Sequence, residues 1–124
     1  MPAVYPQQGE VWWVPFPMPS ADQALMKSRP AVVVSAGPVE AARGVVVVAA
    51  ISSKTEPRTE FDIFVQGRSR LAKSMGITRD CIICCSILHT FSIAALRRRA
   101  GRVNSKTQLR INKILKRFLF AEAE

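Results

Sequence analysis

β-forming residues gather in short runs along this chain, parted by proline, glycine and polar stretches. The first run, Gly9–Phe16, brings together Val11, Trp12, Trp13, Val14 and Phe16 and predicts a strand. The adjacent indoles break strict alternation, so one faces a core and the other a surface or interface. Pro15, Pro17 and Pro19 then withhold backbone donors from any ladder, which predicts a loop over Phe16–Ser28. A second strand is expected over Pro30–Ala36, its entrance fixed by Pro30, which drives Arg29 toward an extended conformation. A third is expected over Arg43–Ser52, where the consecutive valines Val45–Val48 suit a strand buried on both faces, or one buried on one face and covered on the other by a partner. Glu60–Val65 reads as a fourth, and Gln66–Thr78, with Gly67 and Gly76, as a loop with a short helical turn. Cys81–Cys85 and Ser86–Phe91 read as one bent strand.

The period then changes. Ile111, Ile114, Leu115 and Phe118 fall on one helical face, while Lys106, Arg110, Lys113 and Arg117 mark a polar side. Ser105 with Gln108 fits a capping box at the start. A helix this short needs a sheet to dock on. Short strands closed by one terminal helix predict a mainly β fold, a small barrel or curled sheet. The 124 residues suit one domain spanning 1–124, with its core over about 8–120.

The longest apolar stretch, Val45–Ile51, is far short of a membrane span, and Met1–Gln8 lacks the basic cluster and apolar run of a secretory signal. A cytoplasmic protein without a membrane partner is expected. Cys81, Cys84 and Cys85, with the single histidine His89, give half a zinc knuckle and no second half, so no structural metal is expected. Nor is there a phosphate-binding glycine motif or a paired-carboxylate metal site, and no cofactor is expected.

Charge narrows the partners. The net charge is +9, and residues 63–124 hold thirteen Lys or Arg against three Asp or Glu. Such polarity favours an anionic partner, whether nucleic acid, acidic protein or membrane surface. Arg29, held between a loop and Pro30, can present a bidentate fork to a phosphate. Ser52 and Ser53 end the third strand, where hydroxyls can donate to a phosphoryl oxygen, and Lys54 and Arg58 add positive potential nearby. His89 can act as acid or base near neutral pH, and the Trp12–Trp13 pair can stack bases. Arg97, Arg98, Arg99 and Arg102 can touch phosphates or an acidic peptide, or form a solvated linker into the helix.

These residues carry a resemblance. QGEVWWVPFP followed by KSRPAVVVS resembles the opening of the MazF/PemK family of toxins from bacterial toxin–antitoxin pairs. VVVVAAISSK resembles the family's third strand, RDCIICCSILHTFSIAAL its later hydrophobic strand, and GRVNSKTQLRINKILKRFL its closing turn and helix. The likeness spans about residues 8–120.

The resemblance implies a small SH3-like barrel of the MazF/PemK/CcdB toxin type with a C-terminal helix, acting as a homodimer. It implies a sequence-specific, metal-independent endoribonuclease that cuts single-stranded RNA, leaving 2′,3′-cyclic phosphate and 5′-hydroxyl ends. A cognate antitoxin with an acidic tail would neutralise it. The family's arginine before proline maps to Arg29 and its strand-end hydroxyl to Ser52; these two and His89 are the expected catalytic set. Trp12, Lys27, Ser53, Lys54 and Arg58 are the expected RNA-binding set. The chain departs from the family pattern in placing His89 where an arginine is frequent and Ser92 where an aspartate stands. A non-catalytic binder of nucleic acid or acidic protein, and a gyrase-directed toxin, are the competing readings.

Overall fold

The computed structural model describes residues 5–16, 27–37 and 42–120. Most of the expected loop over Phe16–Ser28 lies outside them. Among the described residues these strands and helices follow in order: β1 (Glu10–Pro15), β2 (Ser28–Val33), β3 (Val45–Ser52), β4 (Asp62–Val65), α1 (Arg70–Met75), β5 (Cys81–Ser92), a 3-10 turn (Ile93–Ala95), β6 (Arg98–Arg102) and α2 (Ser105–Phe120). The strands form one antiparallel sheet in the order β4-β5-β3-β2-β1-β6, which curls into a half-barrel. β1, β3 and β4 lie within the expected segments. The second strand starts two residues before Pro30 and stops at Val33. The short helical turn expected within 66–78 is α1.

β6 was not foreseen as a strand, because its Arg98, Arg99 and Arg102 carry no apolar alternation. It forms by pairing with β1, and one buried carboxylate ties the two together. Glu10 accepts from the Arg99 Nε at 3.0 Å, the Trp12 indole N–H at 3.1 Å and the Gln7 backbone N–H at 2.8 Å. A carboxylate taken out of water needs such partners, and the strand's arginine supplies the charged one.

The sheet is apolar on both faces. Val11, Val32, Ala49, Ile51, Ile63, Val65, Cys81, Ile83 and Cys85 form one core with Ala72 and Met75 of α1 and Ile111 of α2. Val14, Phe16, Ala31, Val33, Val46, Val48 and Phe91 form a second core, with Trp12 packed against it. The valine run of β3 serves both, since Val46 and Val48 enter the second core and Val47 packs on the first. β5 is bent as expected. Between Ala49 and Ala50 of β3 its partner jumps from Leu88 to Cys84. A shift of an odd number of residues exchanges the faces of a strand. Cys85 and Leu88 therefore both serve the first core, while His89 and Phe91 turn to the other side.

α1 bridges the gap between the sheet's two ends. It follows β4, yet Ser74 Oγ donates to the Arg102 carbonyl of β6 at 3.0 Å. Gly76 ends the helix at φ 77°, and Gly101 of β6 faces it. A Cβ on Gly76 would lie 2.3 Å from the Ala100 carbonyl oxygen, and one on Gly101 would lie 2.1 Å from the Ser74 carbonyl oxygen. Only backbone fits at this crossing.

α2 docks as its periodicity predicted, with one correction at its start. Asn104, not Ser105, is the cap: its Oδ1 accepts from the Thr107 N–H at 2.8 Å, and Ser105 is the first helical residue. Ile111 is fully buried, Ile114 and Leu115 are partly so, and Phe118 meets Phe61 edge-on at 5.1 Å between centroids. Arg117 pairs with Glu60 at the same end. Among the described residues no helix is long and apolar enough to cross a membrane.

Ile111→Ala should lower unfolding free energy by about 2–4 kcal/mol, as full burial of a large aliphatic side chain implies, and Ile114→Ala by less. Equilibrium denaturation midpoints check the order; equal midpoints for wild type and I111A would displace α2 from the core. Gly101→Ala should destabilise despite adding only a methyl group, because the carbonyl of Ser74 has no room to give way. A thermal midpoint equal to wild type would contradict that.

Candidate nucleic-acid interface

The functional geometry starts from a ladder that stops early. β2 pairs with β3 only through Ala31, Val32 and Val33, opposite Ala50, Ala49 and Val48. Pro30 stands next and has no N–H to donate. Beyond it the two strands part, although each stays zipped on its outer side. β2 still pairs with β1 through Pro30, Arg29 and Ser28, and β3 still pairs with β5 through Ile51 and Ser52. Continuing the lost register sets Arg29 opposite Ser52 and Ser28 opposite Ser53. Sequence positions far apart thus meet at a parting in the sheet.

The parting opens a cleft on each face. On the face of the second core, a cleft of about 320 Å³ is lined by Phe16, Arg29, Ser52, Lys54, Glu56 and Asp62, among others. On the helix-covered face, a cleft of about 300 Å³ is lined by Trp13, Ser28, Arg29, Ser53 and the segment from Gly76 to Cys81. Arg29, Pro30 and Ile51 line both.

Arg29 is half-buried, and its Nε is fully buried with no hydrogen-bond partner among the described residues. Burying a guanidinium N–H without an acceptor costs on the order of 1–3 kcal/mol. The group can take a further acceptor, and an anionic oxygen suits a guanidinium best. The Ser52 hydroxyl accepts from the Lys54 N–H at 3.1 Å and lies 3.3 Å from the Lys54 carbonyl, so the strand-end turn fixes its position.

The remaining candidates are dispersed. Ser53 lines the cleft on the helix-covered face, and Lys54 the other. Lys27 is exposed just before β2 and lines neither. Arg58 is engaged: it pairs with Glu56 at 2.8 Å, donates to the Thr55 carbonyl at 3.1 Å and lies over the Phe64 ring at 4.4 Å. Trp12 is tied to Glu10 and lines neither cleft; Trp13, its neighbour, is the cleft indole. His89 packs among rings, 4.4 Å from Phe91 and 5.7 Å from Phe16 by centroids, and lines neither cleft. It touches the site through Phe16.

Residues missed in the sequence are Glu56, Thr59 and Asp62 on one side and Thr78 and Arg79 on the other. Alternation places Asp62 on the outward face of β4, but nothing in the sequence brings β4 and the Thr78–Arg79 turn to the end of β3.

Metal-ligand chemistry is not assembled among the described residues, which contain no group of three or more His, Cys, Asp or Glu able to hold an ion. The three thiols are free and buried. Burial first, and then the Asp80 carboxylate, pushes the Cys81 thiol up to about 11. Burial and then Asp62 and Cys81 push Cys84 to about 11, and burial with Asp62 and Cys84 pushes Cys85 to about 12. All three stay protonated and unreactive at neutral pH.

Residues 7–119 match the family model of PemK-like, MazF-like toxins of type II toxin–antitoxin systems. The chain belongs to this toxin family. Solved structures share the fold at low identity. MazF from Deinococcus radiodurans superposes with a TM-score of 0.72 at 16% identity, covering 95% of this chain and 99% of that one. An endoribonuclease in complex with its cognate antitoxin from a mycobacterial species gives 0.70 at 16%, covering 96% and 99%. A MazE–MazF complex from D. radiodurans gives 0.69 at 14%, covering 94% and 97%. Among curated proteins no sequence matches significantly.

For this toxin-family chain the thiols predict a pH response. Their folded pKa values lie above the ordinary thiol value of 9.0, so the unfolded chain releases its protons first. Stability should hold below about pH 9 and fall as pH rises toward 11. Thiol labelling at neutral pH should require unfolding. Fast labelling of the native protein, or stability rising over that alkaline range, would contradict the assignment.

Proposed function

We propose that this toxin is a sequence-specific, metal-independent endoribonuclease that cuts single-stranded RNA at the parting between β2 and β3. The observation that carries the proposal is the buried Nε of Arg29, unpartnered among the described residues, in a residue that lines one solvent-open cleft with Ser52. A phosphodiester there would give Arg29 its missing acceptor. The 2′-hydroxyl of RNA is an internal nucleophile, so the protein must hold the phosphate, stabilise developing charge and move protons.

Arg29 stabilises the charge growing on the phosphoryl oxygens, and Ser52 donates to one of them. The carboxylate of Glu56 lines the same cleft, held by Arg58 through Oε2. It takes the 2′-hydroxyl proton. His89, packed between Phe16 and Phe91, positions Phe16 at the cleft wall. The 2′-oxygen bonds to phosphorus as the P–O5′ bond breaks, the leaving 5′-oxygen takes a proton from water in the open cleft, and Glu56 gives its proton back to solvent, so the products are a 2′,3′-cyclic phosphate and a free 5′-hydroxyl. Such a toxin works as a homodimer in the cytoplasm, where mRNA is, and an antitoxin with an acidic tail neutralises it by competing for Arg29.

The test is cleavage of long single-stranded RNA in excess EDTA, followed by mapping of the cut ends. Arg29→Ala should lower the rate by roughly 10²–10³-fold, the usual effect of losing a charge-stabilising donor. Ser52→Ala should cost roughly 1–3 kcal/mol of transition-state stabilisation. Glu56→Gln should slow the reaction, and His89→Gln should slow it far less than R29A. Folded R29A cutting as fast as wild type would sink the assigned site. RNA bound but left intact by wild type would make the protein a binder.

A further inference from the structure

On the helix-covered side of the parting, the second cleft joins Trp13, Ser28, Arg29, Ser53, Thr78 and Arg79. We propose that it is a nucleotide subsite, which holds the RNA next to the scissile phosphate with a base on the Trp13 indole and a phosphate on Arg79. The proposal rests on the ribonuclease reading and adds to it the groups that choose the neighbouring nucleotide.

Continuity is the first argument. Arg29, Pro30 and Ile51 line both clefts, so a strand whose phosphate sits on Arg29 runs into this space. Its volume, about 300 Å³, lies at the lower end of small-ligand sites and suits a nucleotide unit.

The wall opposite Trp13 is built from fixed backbone. Gly76 caps α1, and the Ile77 N–H donates to the Ala72 carbonyl at 2.9 Å. The Gly67 N–H donates to Asp80 Oδ1 at 2.7 Å. A side chain on Gly67 would come within 2.5 Å of the Arg79 carbonyl carbon, so two backbone segments are pressed together there. Arg79 therefore projects from a pinned turn rather than a loose loop. It is exposed and forms no ion pair among the described residues.

The chemistry is that of a single-stranded nucleic acid. Bases splayed from a strand stack on aromatic faces while guanidinium groups follow the phosphates. Trp13 is half-buried, and Arg98 of β6 lies over its ring at 6.0 Å from the centroid. An acidic peptide would use the two arginines and leave the indole and the hydroxyls of Ser28, Ser53 and Thr78 without a matching group.

Arg79→Ala is the decisive variant, because an exposed side chain can be removed without opening the core. Binding of a short 2′-O-methylated RNA, which cannot be cut, is followed by fluorescence anisotropy at several salt concentrations. R79A should reduce the slope of log K against log salt by about 0.7, the loss of one phosphate contact on a single strand. On cleavable RNA it should raise KM roughly tenfold, leave kcat near wild type and relax base preference at one position beside the cut. Trp13→Leu should relax that same position, and Trp13→Phe should restore it in part.

If wild type cuts RNA and R79A keeps the salt slope, KM and cut-site map of wild type, the subsite is overturned. If R79A weakens binding of polyglutamate and leaves RNA binding untouched, the cleft belongs to an acidic peptide and the proposal is also overturned. If wild type cuts nothing yet R79A lowers the RNA salt slope, the ribonuclease reading falls while the nucleotide cleft stands.

Discussion

A missing hydrogen-bond donor organises this protein's working end. Pro30 sits in an otherwise continuous sheet, at the position where the ladder from β2 to β3 stops. Were that ladder to continue, Arg29 and Ser52 would be ordinary cross-strand neighbours on a closed surface. Instead the strands part while β1 and β5 hold their outer edges. The opening is therefore narrow and rigid, and the groups at its lips are set by strand register rather than by loop conformation.

That rigidity needs support on both faces. The run Val45–Val48 can be apolar throughout because β3 is central and feeds two cores. The irregular pairing of β5 exchanges its faces midway, so the same strand delivers Cys81, Ile83 and Cys85 to the helices' side and Phe91 to the other. Phe91 and Phe16 then make an edge-on pair at 5.9 Å, and Phe16 forms part of the cleft wall. α1 and α2 seal the first core, and the glycine contact between α1 and β6 brings the Gly76–Asp80 turn to the sheet end where Trp13 lies. Packing remote from the cleft thus places its far wall.

Much of this was legible in the residue pattern. Five of six strands and the terminal helix follow from β-forming runs and a 3.6-residue period, and Arg29 and Ser52 stood out by position alone. β6 was hidden because its stability comes from pairing with β1 and from the Glu10–Arg99 contact, not from apolar alternation. The helix cap moved one residue because Asn104 competes with Ser105 for the free N–H groups, and sequence spacing does not choose between adjacent polar residues. The indoles could be ranked only once β1 had neighbours on both sides: Trp12 is drawn to Glu10 while Trp13 faces the parting. Arg79 could not be placed in a cleft from the sequence because its neighbours there come from strands β1, β2 and β3.

Under the proposed function, the Nε–H of Arg29, unpartnered among the described residues, donates to an RNA phosphate. Proton–nitrogen NMR reads that group directly, with the Arg29 resonance assigned by its loss in R29A. Titration with an uncleavable 2′-O-methylated RNA should shift the Arg29 Nε–H signal strongly and slow its exchange with water. A signal that stays unmoved and equally exchangeable while the RNA is fully bound would place the phosphate elsewhere and contradict the account.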